Sequence, residues 1–254
     1  MQAFIFFLTL FLSQSFAQDL FFSEYSEGSS NNKYIEIFNG TNQTIDLSYY
    51  AIAGVNNSPS SPGEHERWLD FPSGETILPR QTYVVANENA DDYVNNEANL
   101  LTSYMYLSFN GDDAIALVKG TESDYNVLDV IGQNITESTY SDPGSGWAVA
   151  GENDATKDHT LIRKSSVTSG NTDWESSAGT NEENSEWIVH EQNYWDDIGT
   201  HTFSGVITSF NRYNVSSSGS DSNDGSESSP FATIQAAINI ASDGDTVLVQ
   251  PGTC

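Results

Sequence analysis

The chain has 254 residues, of which 37% are hydrophobic and 17% are charged, so it can form one or two domains with hydrophobic cores. Its 8 Lys and Arg residues stand against 36 Asp and Glu residues, which gives a formal net charge of -28 at pH 7. Nucleic acids and anionic membrane surfaces are bound through clusters of Lys and Arg. The charge therefore argues against both classes of partner and makes cations the natural ones.

The first residues have the pattern of an export signal. An apolar run from Ala3 to Leu12 is followed by Ser15-Phe16-Ala17, a small-x-small site. The run is shorter than the ~20 residues that a membrane-spanning helix needs, and no later segment is long enough to span a membrane. We therefore predict a signal peptide over residues 1–17 and a secreted or cell-surface protein. Because Cys254 is the single cysteine, an exported domain would fold without disulfides.

Between residues 18 and 205, short β-branched and aromatic runs alternate with turns rich in Asn, Gly, Asp and Ser. This spacing predicts an all-β domain, a sandwich or a barrel. The predicted strands are residues 20–26, 33–39, 44–55, 81–87, 105–110, 113–119, 126–132, 159–164 and 186–192. In the second strand, alternation places Ile35 and Ile37 on the core face. Tyr34, Glu36 and Phe38 then form a partly wet outer face.

The composition changes after the predicted β domain. Residues 206–229 are rich in Ser, Gly and Asp, which predicts a flexible linker. Apolar residues then recur with helical spacing at Phe231, Ile234, Ile238 and Ala241. This pattern predicts an amphipathic helix that Thr233 or Ser229 would cap. A β-branched run at 246–249 predicts one strand, so residues 230–254 are assigned to a helix and a strand.

Several motifs in the β region occur together in an order typical of one family. They are "SEY" at 23–25, "YIEIFNGTNQTIDLS" at 34–48, "LPRQTYVVAN" at 78–87, "LSFNGDDAIALV" at 107–118, "VLDVIG" at 127–132 and "HTLIRK" at 159–164. The region resembles the lamin-tail domains of secreted bacterial proteins. This resemblance implies an immunoglobulin-like β-sandwich over residues 18–205. We interpret the motif residues, among them Glu36, Asn39 and Leu47, as structural.

A second resemblance covers residues 216–254, "SSSGSDSNDGSESSPFATIQAAINIASDGDTVLVQPGTC". This stretch is similar to the N-terminal start of a right-handed parallel β-helix of the pectate-lyase type. Coils of such a helix are stable when they stack on one another. The resemblance therefore implies a truncated β-helix, and we expect an incomplete gene product.

Two functional hypotheses follow from these resemblances. The first is a secreted, non-catalytic binding or attachment module that carries an appended β-helix outside the cell. The alternative is the N-terminal fragment of a secreted polysaccharide lyase or hydrolase, with its catalytic coils beyond residue 254. The chain itself has no nucleophile elbow, phosphate loop or zinc-protease motif. We therefore predict no catalytic and no cofactor-binding residues, and no enzyme activity for this chain.

Calcium deserves a separate test because the chain is so acidic. In the stretch that begins at Asp221, glycine falls at the fifth position and Ala232 at the twelfth, so an EF-hand loop is excluded. A looser calcium site stays open as an alternative to a purely structural role. Its weak candidate ligands are Asp112, Asp113, Asp221 and Asp224, with Asp196 and Asp197 also eligible.

Tryptophans offer a route to polysaccharide binding, since flat rings pack on the apolar faces of sugars. Trp147 and Trp174 lie in Gly-, Ser- and Asn-rich loops and are the better candidates for exposure. Trp187 has the pattern of a strand residue in the core. The alternative for all three is packing in the core or anchoring of loops. A polysaccharide or another cell-surface polymer is the expected partner.

Overall fold

The computed structural model describes residues 19–57, 61–103, 105–137, 142–204, 212–241 and 245–250. The chain divides into two compact units, residues 1–205 and residues 206–254. The predicted signal peptide, the junction at 205–211 and Cys254 lie outside the described residues.

The first unit consists mostly of short strands. They are β1 (Leu20–Glu27), β2 (Lys33–Asn39), β3 (Ile45–Asp46), β4 (Tyr50–Val55), β5 (Arg67–Asp70), β6 (Thr76–Ile77), β7 (Thr82–Asn87), β8 (Leu100–Thr102), β9 (Ala114–Thr121), β10 (Asp124–Ile131), β11 (His159–Arg163) and β12 (Trp187–Glu191). A 3-10 turn (Leu47–Tyr49) precedes β4, and two short helices, α1 (Asp92–Glu97) and α2 (Trp174–Ala178), lie between strands.

Two sheets form a sandwich. The larger sheet has the strand order β12-β11-β1-β2-β7-β8, and the smaller has the order β10-β9-β4-β5. Strands β7 and β8 pair in parallel, whereas the other neighbours in these two sheets pair antiparallel. The predicted all-β, immunoglobulin-like class of the first unit is confirmed.

The main core lies between the two sheets. Ile35 and Ile37 of β2 point into it, as the alternation predicts, and Leu47 and Trp187 are fully buried with them. Each such side chain contributes ~1.5–3 kcal/mol when it leaves water. Burial of these side chains can therefore stabilise the sandwich without disulfides.

The outer face of the larger sheet is covered as well, so the predicted partly wet face of β2 is wrong. All seven residues of β2 are buried. A bulge in β1 between Phe22 and Glu24 brings Glu24 opposite Glu36, on this outer face. Helix α1 and the covering loop (residues 194–203) lie over the face, where Val94 and Ile198 pack around Tyr34.

Two local predictions for the first unit differ from the structure, and the strands β5, β6 and β8 and the helices α1 and α2 were not predicted. Residues 105–110 form no strand, although Leu107 and Phe109 are buried; Phe109 instead stacks on Tyr25 with ring centroids 4.8 Å apart. The predicted strand 44–55 is broken by the 3-10 turn at Leu47–Tyr49. Helices α1 and α2 have only 6 and 5 residues, too few to give a helical period, and each starts at an Asp N-cap.

The second unit contains β13 (Arg212–Val215), α3 (Ile234–Ile240) and β14 (Thr246–Val249). Strands β13 and β14 pair in parallel, and Val215, Phe231 and Ala237 form a small core. The hydroxyl of Thr233 accepts a hydrogen bond from the Ala236 N–H at 3.1 Å, so the predicted N-cap is confirmed.

Helix α3 buries an alanine rather than its isoleucines. Ala237 is 0% exposed, whereas Ile234 and Ile238 are 43% and 54% exposed. The small core has room for the alanine, and no described element covers the isoleucine stripe. Of the residues with helical spacing, Phe231 is therefore buried in the small core, whereas Ile234 and Ile238 are exposed.

The stretch assigned to a linker also contains ordered structure. Strand β13 lies within residues 206–229, and the loop after it is held by backbone hydrogen bonds. The Asn214 N–H donates to the Gly225 carbonyl at 2.7 Å, and the Ser220 N–H donates to the Pro230 carbonyl at 3.1 Å. In the described part of this stretch, the polar residues form turns and not an unstructured linker.

Candidate functional site

Trp147 and Trp174, the two ligand-binding candidates, line one groove of the first unit with a volume of about 670 Å³. We call it the tryptophan groove. Its other lining residues are Gln133, Glu137, Pro143, Asp173 and Glu175. The two tryptophans are 27 positions apart in the sequence, with β11 and its flanking loops between them. The fold brings them together in the groove.

The position of Trp147 depends on Gly132, the residue after β10. Gly132 has φ +84°, and a Cβ there would lie 2.8 Å from Cζ3 of Trp147. A glycine is therefore needed both for the backbone conformation and for the close approach of the indole. The Trp147 N–H donates to the Thr156 hydroxyl at 2.8 Å, and this hydroxyl donates to the Gly111 carbonyl at 2.6 Å. These contacts hold a half-buried indole at the groove.

Trp174 is more buried than predicted. It is 6% exposed, and its ring centroid lies 6.4 Å from that of Trp187, which is fully buried as predicted. The reason is helix α2, which Asp173 caps by accepting a hydrogen bond from the Ser176 N–H at 3.2 Å. The helix turns its first residue toward the core. Trp174 therefore forms a wall of the groove, and Trp147 offers the more accessible ring.

The tryptophan groove is acidic. Glu137, Asp173 and Glu175 line it, and its described lining includes no Lys or Arg. The Gln133 amide donates to the Glu137 carboxylate at 2.8 Å. A site that combines an aromatic ring with carboxylate acceptors can stack on an apolar sugar face and accept hydrogen bonds from hydroxyl or ammonium groups. It repels carboxylate or phosphate polymers.

A buried ion network supports the chain before α2. Arg163 Nη2 lies 3.2 Å from Asp129 Oδ1 and 3.0 Å from Glu186 Oε2, and its guanidinium lies 4.3 Å from the Trp187 ring centroid. Asp129 also accepts from the Asn171 N–H at 2.8 Å. Burial raises the pKa of Asp129, and the charge of Arg163 opposes this rise. The network joins β10 and β11 to the segment that leads into the groove.

Comparison with known families adds an assignment for part of the first unit. Residues 13–134 match the family model of the lamin tail domain. Residues 217–254 match the model of a protein of unknown function, DUF1565. Neither the comparison with curated proteins nor that with solved structures gives a significant match. The lamin-tail resemblance is confirmed over these residues, whereas the resemblance to a pectate-lyase-type β-helix stays a prediction.

The lamin tail match spans β1 to β10 and ends just after Gln133. A lamin tail domain of this immunoglobulin-like type suggests a non-catalytic module. Trp147 and Trp174 both follow the matched residues. The tryptophan groove is thus formed mainly by chain beyond the match, and its interpretation rests on its own geometry.

Of the acidic residues in the first unit that were candidates for calcium, Asp113 is engaged in other contacts. Asp113 lies 3.4 Å from Arg67 Nη2 and accepts from the Asn57 N–H at 3.1 Å. Asp112 is buried beside it, at 7% exposure. Within the described ranges, no group of three or more His, Cys, Asp or Glu has an arrangement that could hold a metal ion.

The two calcium-ligand candidates in the second unit, Asp221 and Asp224, accept hydrogen bonds from backbone N–H groups of that unit. Asp221 accepts from the Thr233 N–H at 2.8 Å and from the Ala232 N–H at 3.0 Å, so it supports the start of α3. Asp224 accepts from the Ser226 N–H at 2.9 Å in a turn. The structure does not bring these carboxylates together as a calcium site.

A pair of buried carboxyl groups under the covering loop was missed from the sequence. Glu36 accepts from the Ser23 hydroxyl at 2.6 Å and from the Gly199 N–H at 2.7 Å. Tyr34 donates to Glu24 at 2.5 Å. Burial raises the pKa of Glu36 to about 8, and burial with the nearby charge of Glu36 raises the pKa of Glu24 well above its usual range. The aromatic neighbours of Glu36 in "KYIEIFN" were the available indication that this face is covered.

His201, on the same loop, is also buried against the sheet. Its ring centroid lies 4.8 Å from that of Phe38 and 6.0 Å from that of Phe21. Burial lowers the pKa of His201 to about 4, and the charge of Arg163 adds to the effect. We interpret this histidine and the carboxyl pair as parts of the packing between loop and sheet.

One negative finding concerns membranes. In the stretches that the structure describes, no helix has the length and apolar character of a membrane span.

Proposed function

We propose that this chain is a secreted, non-catalytic module that binds a neutral or amino-substituted polysaccharide in the tryptophan groove. The observation that carries the proposal is the placement of the half-buried Trp147 ring beside Glu137, Asp173 and Glu175. The ring supplies a flat apolar surface, and the carboxylates accept hydrogen bonds from the sugar. The export pattern of residues 1–17 supports a site of action outside the cell.

The size of the groove supports a short stretch of polymer as the ligand. Its volume of about 670 Å³ falls within the ~300–1,000 Å³ of small-molecule sites. The absence of basic residues from its described lining disfavours polyuronates. A polymer with free hydroxyl or ammonium groups fits the groove better.

We also propose that the second unit begins a parallel β-helix that the sandwich attaches to its polymer. The parallel pairing of β13 with β14 supports this proposal, because parallel strands are buried on both faces in most folds. The exposed Ile234 and Ile238 of α3 are the surface that further packing would cover.

The test is binding of the mature chain to immobilised and soluble polysaccharides, measured by affinity electrophoresis and calorimetry. We expect retardation by a neutral glucan or by chitosan, and none by polygalacturonate. Trp147→Ala should weaken binding roughly tenfold or more, since stacking contributes ~0.5–1.5 kcal/mol beyond the buried area. Glu175→Gln should weaken chitosan binding alone.

The matched control is Trp68→Ala. Trp68 is also half-buried, but it packs on Tyr125, with ring centroids 5.3 Å apart, and lines no part of the tryptophan groove. Equal binding by Trp147→Ala and the parent chain would refute the proposal, as would failure to bind every polymer. Release of unsaturated uronates from pectin would instead support the lyase alternative.

A further inference from the structure

Strand β12 is an edge of the larger sheet, and it borders a second groove. Among the strands that the structure describes, β12 pairs with β11 alone. A groove of about 460 Å³ runs along it, and we call this the edge groove. Gly151, Glu152, Lys164, Glu182, Ile188 and Val189 are among its lining residues. An edge strand with an adjacent groove has the two parts that strand addition uses, a backbone template and space for side chains.

The register of β12 shows which backbone groups face outward. Ile188 lies opposite Ile162, and the Lys164 N–H donates to the Glu186 carbonyl at 2.8 Å. Even-numbered residues of β12 therefore bond to β11, and odd-numbered residues direct their backbone groups away from it. Both backbone groups of Val189 face outward and have no partner within the described part of the chain.

The neighbours of Val189 extend the template. The outward carbonyl of Trp187 and the outward N–H of Glu191 also have no partner among the described residues. The other outward groups are used locally: the Trp187 N–H donates to the Ser185 hydroxyl at 3.0 Å, and the Glu191 carbonyl accepts from the Tyr194 N–H at 3.2 Å. The free groups match the hydrogen bonds that one short extended segment would make.

The charges around this edge determine the kind of segment that fits. Glu152 and Glu182 line the edge groove, and Glu191 ends the strand with an exposed side chain. Lys164 is already engaged, because its ammonium donates to the Glu182 carbonyl. Ile188 adds an apolar contact at 44% exposure. A segment that alternates basic and apolar side chains complements these features.

We propose that β12 and the edge groove form a docking surface for an extended cationic peptide segment of a partner protein, which pairs with the backbone of Val189. A second copy of this chain is a poor occupant, since its net charge of -28 repels the same acidic surface. The surface is separate from the tryptophan groove, with which it shares no lining residue. The proposal therefore stands independently of polysaccharide binding.

The experiment uses the mature chain and a blocked synthetic peptide of alternating lysine and valine, with an alternating glutamate and valine peptide as the charge control. Binding is followed by NMR and by amide hydrogen exchange. We expect the N–H groups of Val189 and Glu191 to shift and their exchange to slow roughly tenfold or more at saturation. The affinity should fall as the salt concentration rises.

Two variants separate docking from folding. Val189→Pro removes an outward N–H without breaking a bond to β11, a change that edge strands tolerate. It should weaken peptide binding roughly tenfold, whereas Val189→Ala, which keeps the N–H, should bind within about threefold of the parent. The double variant Glu152→Gln/Glu182→Gln changes exposed groups only and should lose part of the salt dependence.

Three results would overturn the proposal. They are equal binding of the lysine and glutamate peptides, unchanged binding by a folded Val189→Pro chain, and exchange changes confined to other strands. Self-association at high salt that Val189→Pro abolishes would assign the edge to a second copy and would also overturn it.

Discussion

The buried Glu36 should make the sandwich less stable as the pH rises from 4.5 to about 8. Its carboxyl group has an ordinary pKa of 4.5, which burial raises to about 8 in the folded protein. Between pH 4.5 and about 8, Glu36 keeps its proton in the folded protein, whereas the unfolded chain has released it. Stability from this group is therefore fully present below pH 4.5 and is lost as the pH rises to about 8.

The size of the effect follows from the two pKa values. A rise from 4.5 to about 8 corresponds to ~5 kcal/mol, at ~1.4 kcal/mol for each pH unit. Asp197 adds negative charge near Glu36, while Ser23 and Gly199 donate hydrogen bonds to it. We expect the net loss between pH 6.5 and pH 8 to be ~2 kcal/mol from Glu36 alone.

The perturbation is Glu36→Gln, which replaces the protonated acid with a neutral group of similar shape. The assay is urea unfolding of both proteins at a series of pH values from about 5 to 9, with the free energy of unfolding taken from linear extrapolation. We expect the variant to gain on the parent by ~1.4 kcal/mol per pH unit up to about pH 8. Glu175→Gln, an exposed carboxylate of the same unit, is the control and should run parallel to the parent.

One result would refute this reasoning. If the parent and Glu36→Gln have the same pH dependence between pH 5 and pH 8, the carboxyl group is ionised in the folded protein and burial does not control its pKa.

The remaining predictions concern two other buried groups. The pKa of His201 is lowered to about 4, so this group should lose its stabilising contribution as the pH falls from 6.5 to about 4. The difference in unfolding free energy between the parent and His201→Phe should then shrink or reverse. A difference that stays constant over this pH range would contradict the assignment. Asp129→Ala should cost ~3–5 kcal/mol in urea unfolding because it removes the fully buried partner of Arg163, which keeps the partly exposed Glu186, and leaves the Asn171 N–H without its acceptor. The exposed Asp124→Ala is its control, and an equal cost for both would show that the ion pair does not stabilise the fold.

Most strands of the sandwich could be predicted from the sequence, because alternation of apolar and polar residues indicates a strand with one buried face. Strand β2 was placed at residues 33–39, as observed. The cover over its other face was not predictable, since it comes from α1 and from the covering loop, which follow more than 50 and more than 150 residues later. The segment 105–110 has a strand-like pattern but finds no strand to pair with, and pairing is a tertiary property.

The tryptophan groove was predictable in its residues but not in its geometry. Loop composition indicated Trp147 and Trp174, yet it could not show that α2 turns Trp174 inward. The role of Gly132 depends on the indole that packs against it, which no local pattern reveals. In the second unit, helical periodicity predicted α3 but did not show which residues of the helix pack into the small core.

The central strands of the larger sheet are packed on both faces, by the core on one side and by the covering loop and α1 on the other. They leave no free face at the centre of the sheet on which a flat ligand surface could evolve. New specificity can arise only along its rim and in its loops, where sequence change is inexpensive for folding. Selection for a different polymer or partner could therefore act on Trp147 or Ile188 while the packed layers stay the same.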